Sequence, residues 1–162
     1  MQQATHPIQF VRGDATVPIG NGARIVAHIC NDIGAWGKGF VLALSRRWPE
    51  PALAFKRWYE GRATNDFGLG SVQLVSVGDE LWVANMVAQH GIRASGGVPP
   101  IRYDALGRCL EQLAVEAKAR AASVHMPRIG CGLAGGEWSR IEALILETLC
   151  EQDVPVTVYD LE

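Results

Sequence analysis

Apolar residues follow two different periods along this chain, and the two periods alternate. Short apolar runs that are rich in β-branched residues and bounded by turn residues are typical of buried strands. The clearest run, RIVAHIC, covers residues 24–30 between an Asn-Gly and an Asn-Asp pair. Further runs of this kind cover residues 71–77, 81–87, 123–127 and 154–159, and residues 8–12 form a short apolar stretch. Gly78 and Asp79 separate the two central runs, which predicts a hairpin there.

Helical patterns separate these runs. Residues 40–48 predict a first helix, a break follows at Pro49 and Pro51, and a second helix ends at Gly61. Apolar side chains at intervals of three and four residues predict further helices over 103–121 and 137–150. Strands that alternate with helices, with a hairpin in the middle, predict an α/β fold: a three-layer α/β/α sandwich around a mixed sheet. The length of 162 residues suits one domain over residues 1–162.

Two glycine-rich segments each follow a predicted strand and precede a predicted helix. They read NDIGAWGKGF at residues 31–40 and MPRIGCGLAGGEW at residues 126–138. Glycine lets the backbone approach a ligand closely, and amides at a helix N-terminus lack partners and carry partial positive charge. Two such loops suggest a clamp that holds a diphosphate from both sides, and tight turns packed against the sheet are the alternative. The second segment matches G-x-G-x-x-G, but only one strand follows its helix, so we reject a dinucleotide-binding βαβ unit.

Charge, hydropathy and cysteine content argue against several classes of protein, namely nucleic-acid-binding, membrane, secreted and metal-binding proteins. The formal net charge of -2 and the sequence pI of about 6.1 argue against broad electrostatic binding to nucleic acid. No apolar run approaches the ~20 residues that span a membrane, and the N-terminus lacks a signal-peptide pattern. The cysteines have no metal-site spacing, which predicts reduced thiols, no metal and a cytoplasmic location. A catalytic Cys131 near a helix N-terminus is a less favoured alternative.

The chain as a whole resembles the macrodomains, an α/β/α family that binds ADP-ribose. The resemblance rests on VRGDAT at residues 11–16, HICNDIGAWGKGF at 28–40, the 126–138 segment, and TVYDL at 157–161. The MPRIGCGL run in particular resembles the branch that contains a terminal ADP-ribose protein glycohydrolase and the macrodomain of a chromatin remodeller. The resemblance implies ADP-ribose and ADP-ribosylated proteins as partners, without a cofactor.

The resemblance also implies ligand contacts. Asp14, followed by Ala15, would accept a hydrogen bond from the adenine amino group, with a turn or cap role as the alternative. Tyr159 or Leu161 would pack on the adenine face, and a core strand position is the alternative for Tyr159. The diphosphate would lie between the two loops, enclosed by Gly37, Lys38, Gly39, Phe40, Ile129, Gly130, Cys131, Gly132, Leu133, Ala134 and Gly135.

The same resemblance places polar residues near the distal ribose. Asn31 and Asp32 would lie beside this sugar, and an Asx-turn at the strand end is the alternative. Trp36 would be either a lid over the ribose or a plug that fixes the loop, and we favour the lid.

The chain departs from its family at two catalytic positions. The glycohydrolase branch uses a lysine on the strand that residues 81–89 match, and an aspartate just after the Gly-Cys-Gly-Leu run. This chain has Gln89 and Ala134 there, which can neither form a lysyl adduct nor take a proton. We therefore expect a water-mediated, lysine-independent hydrolysis of ADP-ribose esters on acidic side chains, or else a reader that binds ADP-ribose without cleaving it. The candidates for holding the water or the ester are Gln89, Asn31 and Asp32, with His90 and Arg93 on the adjoining loop.

Overall fold

The computed structural model describes residues 7–161, and these form six strands and four α-helices. The strands are β1 (Gln9–Arg12), β2 (Arg24–Asn31), β3 (Val72–Gly78), β4 (Leu81–Gln89), β5 (Ser123–Met126) and β6 (Val156–Asp160). The helices are α1 (Phe40–Arg47), α2 (Glu50–Glu60), α3 (Tyr103–Arg120) and α4 (Trp138–Ile145), which a π-helical turn extends over Leu146–Cys150. None of these helices has the length and apolar character needed to cross a membrane.

The six strands form one mixed sheet in the order β1-β6-β5-β2-β4-β3. Five strands run parallel, and β3 pairs antiparallel with β4 at one edge. This arrangement confirms the predicted mixed sheet and the central hairpin. Because β1, β6, β5, β2 and β4 are parallel, their carboxyl ends meet at one edge, where ligands bind in sheets of this kind.

Helices cover both faces of the sheet. Along β4, the side chains of Ala84 and Met86 belong to the large core that α3 and α4 cover. The alternate residue Val87 packs on the opposite face with Phe55 of α2. Because successive side chains of a strand point to opposite faces, one strand contributes to both cores. The structure therefore confirms the three-layer α/β/α sandwich.

Strand β2 lies inside the sheet and leads into the first glycine-rich segment. Its residues alternate between the two faces: Ile25 packs in the large core, whereas Val26 packs with α1. His28 shares the α1 face, where its ring contacts that of Phe40. At the carboxyl end the register shifts by a bulge, and Asn31 pairs with Gln89 of β4. The ends of β2 and β4 therefore lie side by side.

The helix predicted over 137–150 changes form before it ends. Its α-helical part stops at Ile145, and the last five residues take the wider π form. The Thr148 hydroxyl donates to the carbonyl of Leu144 at 2.6 Å, and this bond competes with the regular backbone ladder. Leu149 and Cys150 remain fully buried, so the apolar pattern alone does not reveal the change.

Candidate functional site

A cleft at the carboxyl ends of the parallel strands lies between the two glycine-rich loops. We name residues 32–39 the first loop and residues 127–137 the second loop. The cleft has a volume of about 530 Å³. Its walls include the residues predicted to enclose the diphosphate from this side, namely Gly37, Lys38, Gly39 and Phe40, and they also include Trp36. From the second loop, Ile129, Gly130, Gly132, Leu133 and Ala134 line it as predicted, whereas Cys131 and Gly135 do not.

Asn31 shapes the first loop from within. Its Oδ1 accepts hydrogen bonds from the amides of Ile33 and Ala35 at 3.1 and 3.0 Å, and its Nδ2 donates to the carbonyl of Ala35 at 2.8 Å. This is the Asx-turn that the sequence offered as the alternative interpretation. Asn31 is only 8% exposed, although it borders the cleft. Its polar atoms are used to hold the loop, and the structure does not support a catalytic role for them.

The first loop leads directly into the N-terminus of α1. Gly39 is the N-cap and has φ of 82°, a backbone conformation that L side chains rarely adopt. In the described part of the chain, the amides of Gly39, Phe40 and Val41 donate to no protein acceptor. Three unpaired amides at the positive end of a helix dipole form a site for an anion.

Trp36 fixes the first loop more than it covers the cleft. Its indole Nε1 donates to the hydroxyl of Ser45 at 2.8 Å, and its ring contacts Phe55 and His28 with centroids 5.4 and 5.3 Å apart. The side chain joins the two cores that flank α1 and α2. These contacts favour the alternative of a plug over the preferred prediction of a lid, although Trp36 also lines the cleft.

The second loop is a compact turn that presents its own amides. The amide of Gly136 donates to the carbonyl of Gly130 at 2.6 Å, and that of Gly135 donates to Gly132 at 3.0 Å. Across the described residues, the amides of Gly130, Gly132, Leu133 and Ala134 have no protein acceptor. These four amides border the cleft, whereas the first residues of α4 do not. The unpaired amides on this side of the cleft therefore belong to the turn itself and not to the N-terminus of α4, which differs from the expectation of a second helix N-terminus.

The two loops approach each other across the cleft. A Cβ atom built on Gly39 would lie 3.6 Å from Cδ1 of Leu133. The Leu133 side chain is 63% exposed, so it lies at the mouth of the cleft. The unpaired amides of both sides thus belong to residues that line the same cleft, and the Leu133 side chain lies close to the first loop.

Cationic side chains add to this positive character. Lys38, Arg93 and Arg128 line the cleft. Arg128 is held by Asp160 through two hydrogen bonds of 2.8 and 2.9 Å, and its guanidinium lies 4.8 Å from the ring centroid of Trp138. The paired Arg128 lowers the pKa of Asp160 through its hydrogen bonds. Arg128 is a fixed part of the wall, while Lys38 and Arg93 are exposed.

The predicted catalytic residues separate into two groups. Gln89 borders the cleft; its Nε2 donates to the carbonyl of Gly91 at 3.0 Å, which leaves Oε1 as an available acceptor. Asp32 is outside the cleft lining and accepts from the amide of Gly91 at 2.8 Å and from Nδ1 of His90 at 2.7 Å. Asp32 and His90 therefore anchor the loop that follows β4. Ala134, at the position of the family's aspartate, is buried and supplies only its backbone.

The residues predicted for the adenine do not line the cleft. Asp14 accepts hydrogen bonds from the amide and hydroxyl of Thr16 at 2.8 and 2.7 Å. Burial raises the pKa of Asp14, but these bonds together with the charges of Arg47 and Arg46 outweigh burial and lower it. Ala15 is buried. Tyr159 is 4% exposed and its hydroxyl bonds to Ile19 and His125, which favours the alternative of a core strand position over adenine stacking. Leu161 is exposed near the end of β6.

The cysteines do not form a reactive centre. All four are free, and burial raises the pKa of the Cys131 thiol, with Arg128 opposing it. A raised thiol pKa disfavours the nucleophilic thiolate, so the alternative of a catalytic Cys131 is not supported. In the described residues, no group of three or more His, Cys, Asp or Glu side chains is placed to hold a metal ion.

Sequence reasoning missed one buried polar residue of the cleft. His28 lines the cleft floor, yet it lies in the middle of a β-branched run and looks like an ordinary strand residue. The sequence shows Arg128 only as part of a motif, and its position in the wall depends on its pairing with Asp160. No local pattern signals either placement.

Comparison with solved structures identifies the family. A macrodomain protein from Streptomyces coelicolor is 54% identical, with 96% of this chain and 99% of that chain covered and a TM-score of 0.87. A protein of unknown function from Bacteroides thetaiotaomicron is also 54% identical, with 97% and 99% covered and a TM-score of 0.94. The chain belongs to the macrodomain family. A scan against protein-family models finds no match.

Curated relatives extend this comparison. The chromodomain-helicase-DNA-binding protein 1-like of Mus musculus is 33% identical over 162 residues, which cover 94% of this chain and 17% of the relative. This chain thus spans about a sixth of the length of that protein. An ADP-ribose 1″-phosphate phosphatase from Lodderomyces elongisporus is 26% identical, with 94% and 99% covered. The human ADP-ribose glycohydrolase OARD1 is 37% identical over 60 residues, which cover 36% of this chain and 40% of that protein.

Proposed function

We propose that this protein binds ADP-ribose in the cleft between the two loops. The observation that carries the proposal is the presence of two sets of unpaired amides on residues that line one cleft. The first set is Gly39 to Val41, and the second is Gly130, Gly132, Leu133 and Ala134. A diphosphate offers oxygens in both directions, and backbone amides match them without a large net charge on the protein. The names of the two ADP-ribose-processing relatives support the same ligand.

We further propose that the protein hydrolyses ADP-ribose from acidic side chains of modified proteins, without a lysine. Gln89 is the polar side chain at the end of β4 that keeps a free acceptor in the cleft. Its Oε1 is suited to hold a water molecule, while the fixed diphosphate would keep the ester at C1″ in a constant position. Asn31 and Asp32 act through the loops that they organise. The exposed Lys38 and Arg93 would attract the anionic ligand.

A reader that binds ADP-ribose without cleaving it is the second candidate. The observation in its favour is that the internal hydrogen bonds of Asn31 and Asp32 leave only an uncharged amide beside the expected ester. A neutral amide cannot take a proton from water at neutral pH. Both candidates use the same cleft and differ only in turnover.

A hydrolysis assay separates the two candidates. Proteins that carry ADP-ribose on glutamate or aspartate, and others that carry it on serine, are incubated with the protein, and release of the label is measured. The enzyme proposal predicts loss from acidic side chains, slowed by Gln89→Ala and unchanged by Gln112→Ala on the exposed face of α3. Binding of free ADP-ribose with retention of every label would establish the reader instead.

The proposal also covers the partners of the protein and its location in the cell. ADP-ribosylated proteins are the partners that both candidates require. The four cysteines are free, three of them buried, and this suits a reducing compartment such as the cytoplasm. Isolation of the protein with its cysteines oxidised from its own cells would argue against that location.

A further inference from the structure

The floor of the cleft contains a buried histidine with one unused ring nitrogen. His28 is 2% exposed, lines the cleft and lies beneath the first loop. Its ring meets that of Trp36 edge-on, with centroids 5.3 Å apart, and that of Phe40 at 6.0 Å. Among the buried side-chain nitrogen and oxygen atoms of residues 7–161, Nδ1 of His28 is the one that has no hydrogen-bond partner. Because folded proteins pair nearly all such atoms, this nitrogen requires an explanation.

The neighbours of His28 determine which of its nitrogens carries the proton. Asn85 is fully buried, and its Nδ2 donates to the carbonyl of Pro51 at 3.3 Å and to Oε1 of Gln73 at 3.0 Å. Gln73 itself donates from Nε2 to the carbonyl of Ala54 at 3.0 Å, which fixes the orientation of its amide. Oδ1 of Asn85 therefore faces Nε2 of His28 at 2.5 Å and needs a donor. Nε2 carries the proton.

Nδ1 of His28 is consequently a hydrogen-bond acceptor. Burial lowers the pKa of His28 to about 4, with the bond to Asn85 opposing it, so the ring is neutral at neutral pH. The His28 ring packs against the aromatic rings of Trp36 and Phe40, and a buried acceptor without a donor is unfavourable. A phosphate oxygen is itself an acceptor and cannot satisfy this nitrogen, whereas a hydroxyl group can.

We propose that His28 is a specificity-determining residue of the cleft, and that its Nδ1 accepts a hydrogen bond from a ribose hydroxyl of the bound ligand. This inference rests on the proposed function, since ADP-ribose has a ribose on each side of its diphosphate. The rings of Trp36 and Phe40 pack against the His28 ring, so contact between a ligand hydroxyl and the buried Nδ1 requires this part of the first loop to shift. The amides of the two loops would select the diphosphate, and His28 would select a sugar attached to it.

Nitrogen NMR on the wild-type protein tests the inference directly. The protein is labelled with ¹⁵N-histidine, and the ring nitrogens are recorded before and after saturation with ADP-ribose. We expect the Nδ1 signal of His28 to move from that of a free acceptor toward that of a hydrogen-bonded one. His125 is the internal control, because it is equally buried but its two nitrogens already bond to Ser123 and Tyr159 at 2.8 and 2.7 Å. Its signals should not change.

Two glutamine variants complete the test. In His28→Gln, the side-chain amide can still donate to Asn85, but no acceptor remains at the position of Nδ1. We expect its affinity for ADP-ribose to fall about tenfold, the effect of one lost hydrogen bond to a buried acceptor. His125→Gln should lose stability but keep the wild-type affinity.

The outcomes distinguish the two proposals. ADP-ribose that binds in calorimetry without moving the Nδ1 signal, or that binds His28→Gln as tightly as wild type, would overturn the role of His28 and leave the proposed function intact. Failure of ADP-ribose to bind the wild-type protein at all would overturn the proposed function, and this inference with it. A selective shift at His28 together with weaker binding by His28→Gln would support both.

Discussion

One added methyl group at two glycines of the second loop should separate folding from ligand binding. Gly130 has φ of 74°, and a Cβ there would lie 2.7 Å from Cδ1 of Ile101 and 3.0 Å from Cδ1 of Ile141. Gly132 has no such backbone strain, and a Cβ there would meet no protein atom within 4 Å. Both residues line the cleft. The substitutions Gly130→Ala and Gly132→Ala therefore probe the same loop with opposite steric demands.

The expected sizes follow from these distances. Placing a Cβ in the left-handed region costs about 1–2 kcal/mol, and overfilling a packed site costs about 1–3 kcal/mol more. We therefore expect Gly130→Ala to lower the free energy of unfolding by about 2–5 kcal/mol. Gly132→Ala should leave it unchanged or raise it by up to about 1 kcal/mol, because alanine restricts the unfolded chain.

For ligand binding, Gly132→Ala is the more informative of the two variants. In Gly132→Ala the fold stays intact, but the methyl group stands beside the amides that we assign to the diphosphate. We expect its affinity for ADP-ribose to fall at least about tenfold, or 1.4 kcal/mol. Gly68→Ala is the matched control, since Gly68 also has open space around it and lies outside the cleft lining.

Urea unfolding and titration calorimetry measure the two effects. The steric assignment of the loop is wrong if Gly130→Ala is as stable as wild type, because the contacts with the two isoleucines would then be loose. Its role in binding is wrong if Gly132→Ala and Gly68→Ala bind ADP-ribose alike, because the second loop would then not approach the ligand.

Three further predictions concern single side chains of the fold. Burial lowers the pKa of His125 from 6.5 to about 4, so as the pH falls His125 is protonated in the unfolded chain before it is protonated in the folded protein. The free energy of unfolding should therefore decrease between pH 6.5 and 4, with about 3 kcal/mol of the decrease due to this group. Urea unfolding at pH 7 and 4.5 should show a smaller loss in His125→Gln, and an equal loss would contradict the assignment. Asp32→Ala should speed hydrogen exchange in the loop after β4, and unchanged exchange there would show that this carboxylate is not its anchor. Trp36→Phe keeps an aromatic ring but loses the bond to Ser45, which should cost about 1 kcal/mol of stability, and a thermal melt identical to wild type would contradict the plug.

The sequence predicted those features that depend on periodicity. The alternation of apolar runs with helical patterns placed β2, β4 and α3 within one or two residues of their positions, because both faces of the sheet are buried. The glycine-rich segments placed both walls of the cleft, since open backbone at the end of a strand is a local property. Fold class and the location of the cleft were therefore accessible from the linear pattern of residues.

The roles of single polar side chains were not accessible in the same way. Asn31 and Asp14 have side chains suited to a ligand, but both form hydrogen bonds with residues two to four positions away. Tyr159 has the chemistry of a stacking residue, yet the segment before β2 covers it. His28 gains its significance from Asn85, which lies 57 residues away in sequence. Such pairings depend on the assembled sheet, and a linear pattern does not contain them.

A crystal structure of the protein with ADP-ribose would test the proposed clamp of opposed amides at atomic detail. We expect the diphosphate between the loops, with its oxygens about 2.7–3.2 Å from the amides of Phe40 and Val41 on one side and of Gly132 and Leu133 on the other. A diphosphate bound elsewhere on the protein, with these amides facing water at full occupancy of the ligand, would contradict the clamp.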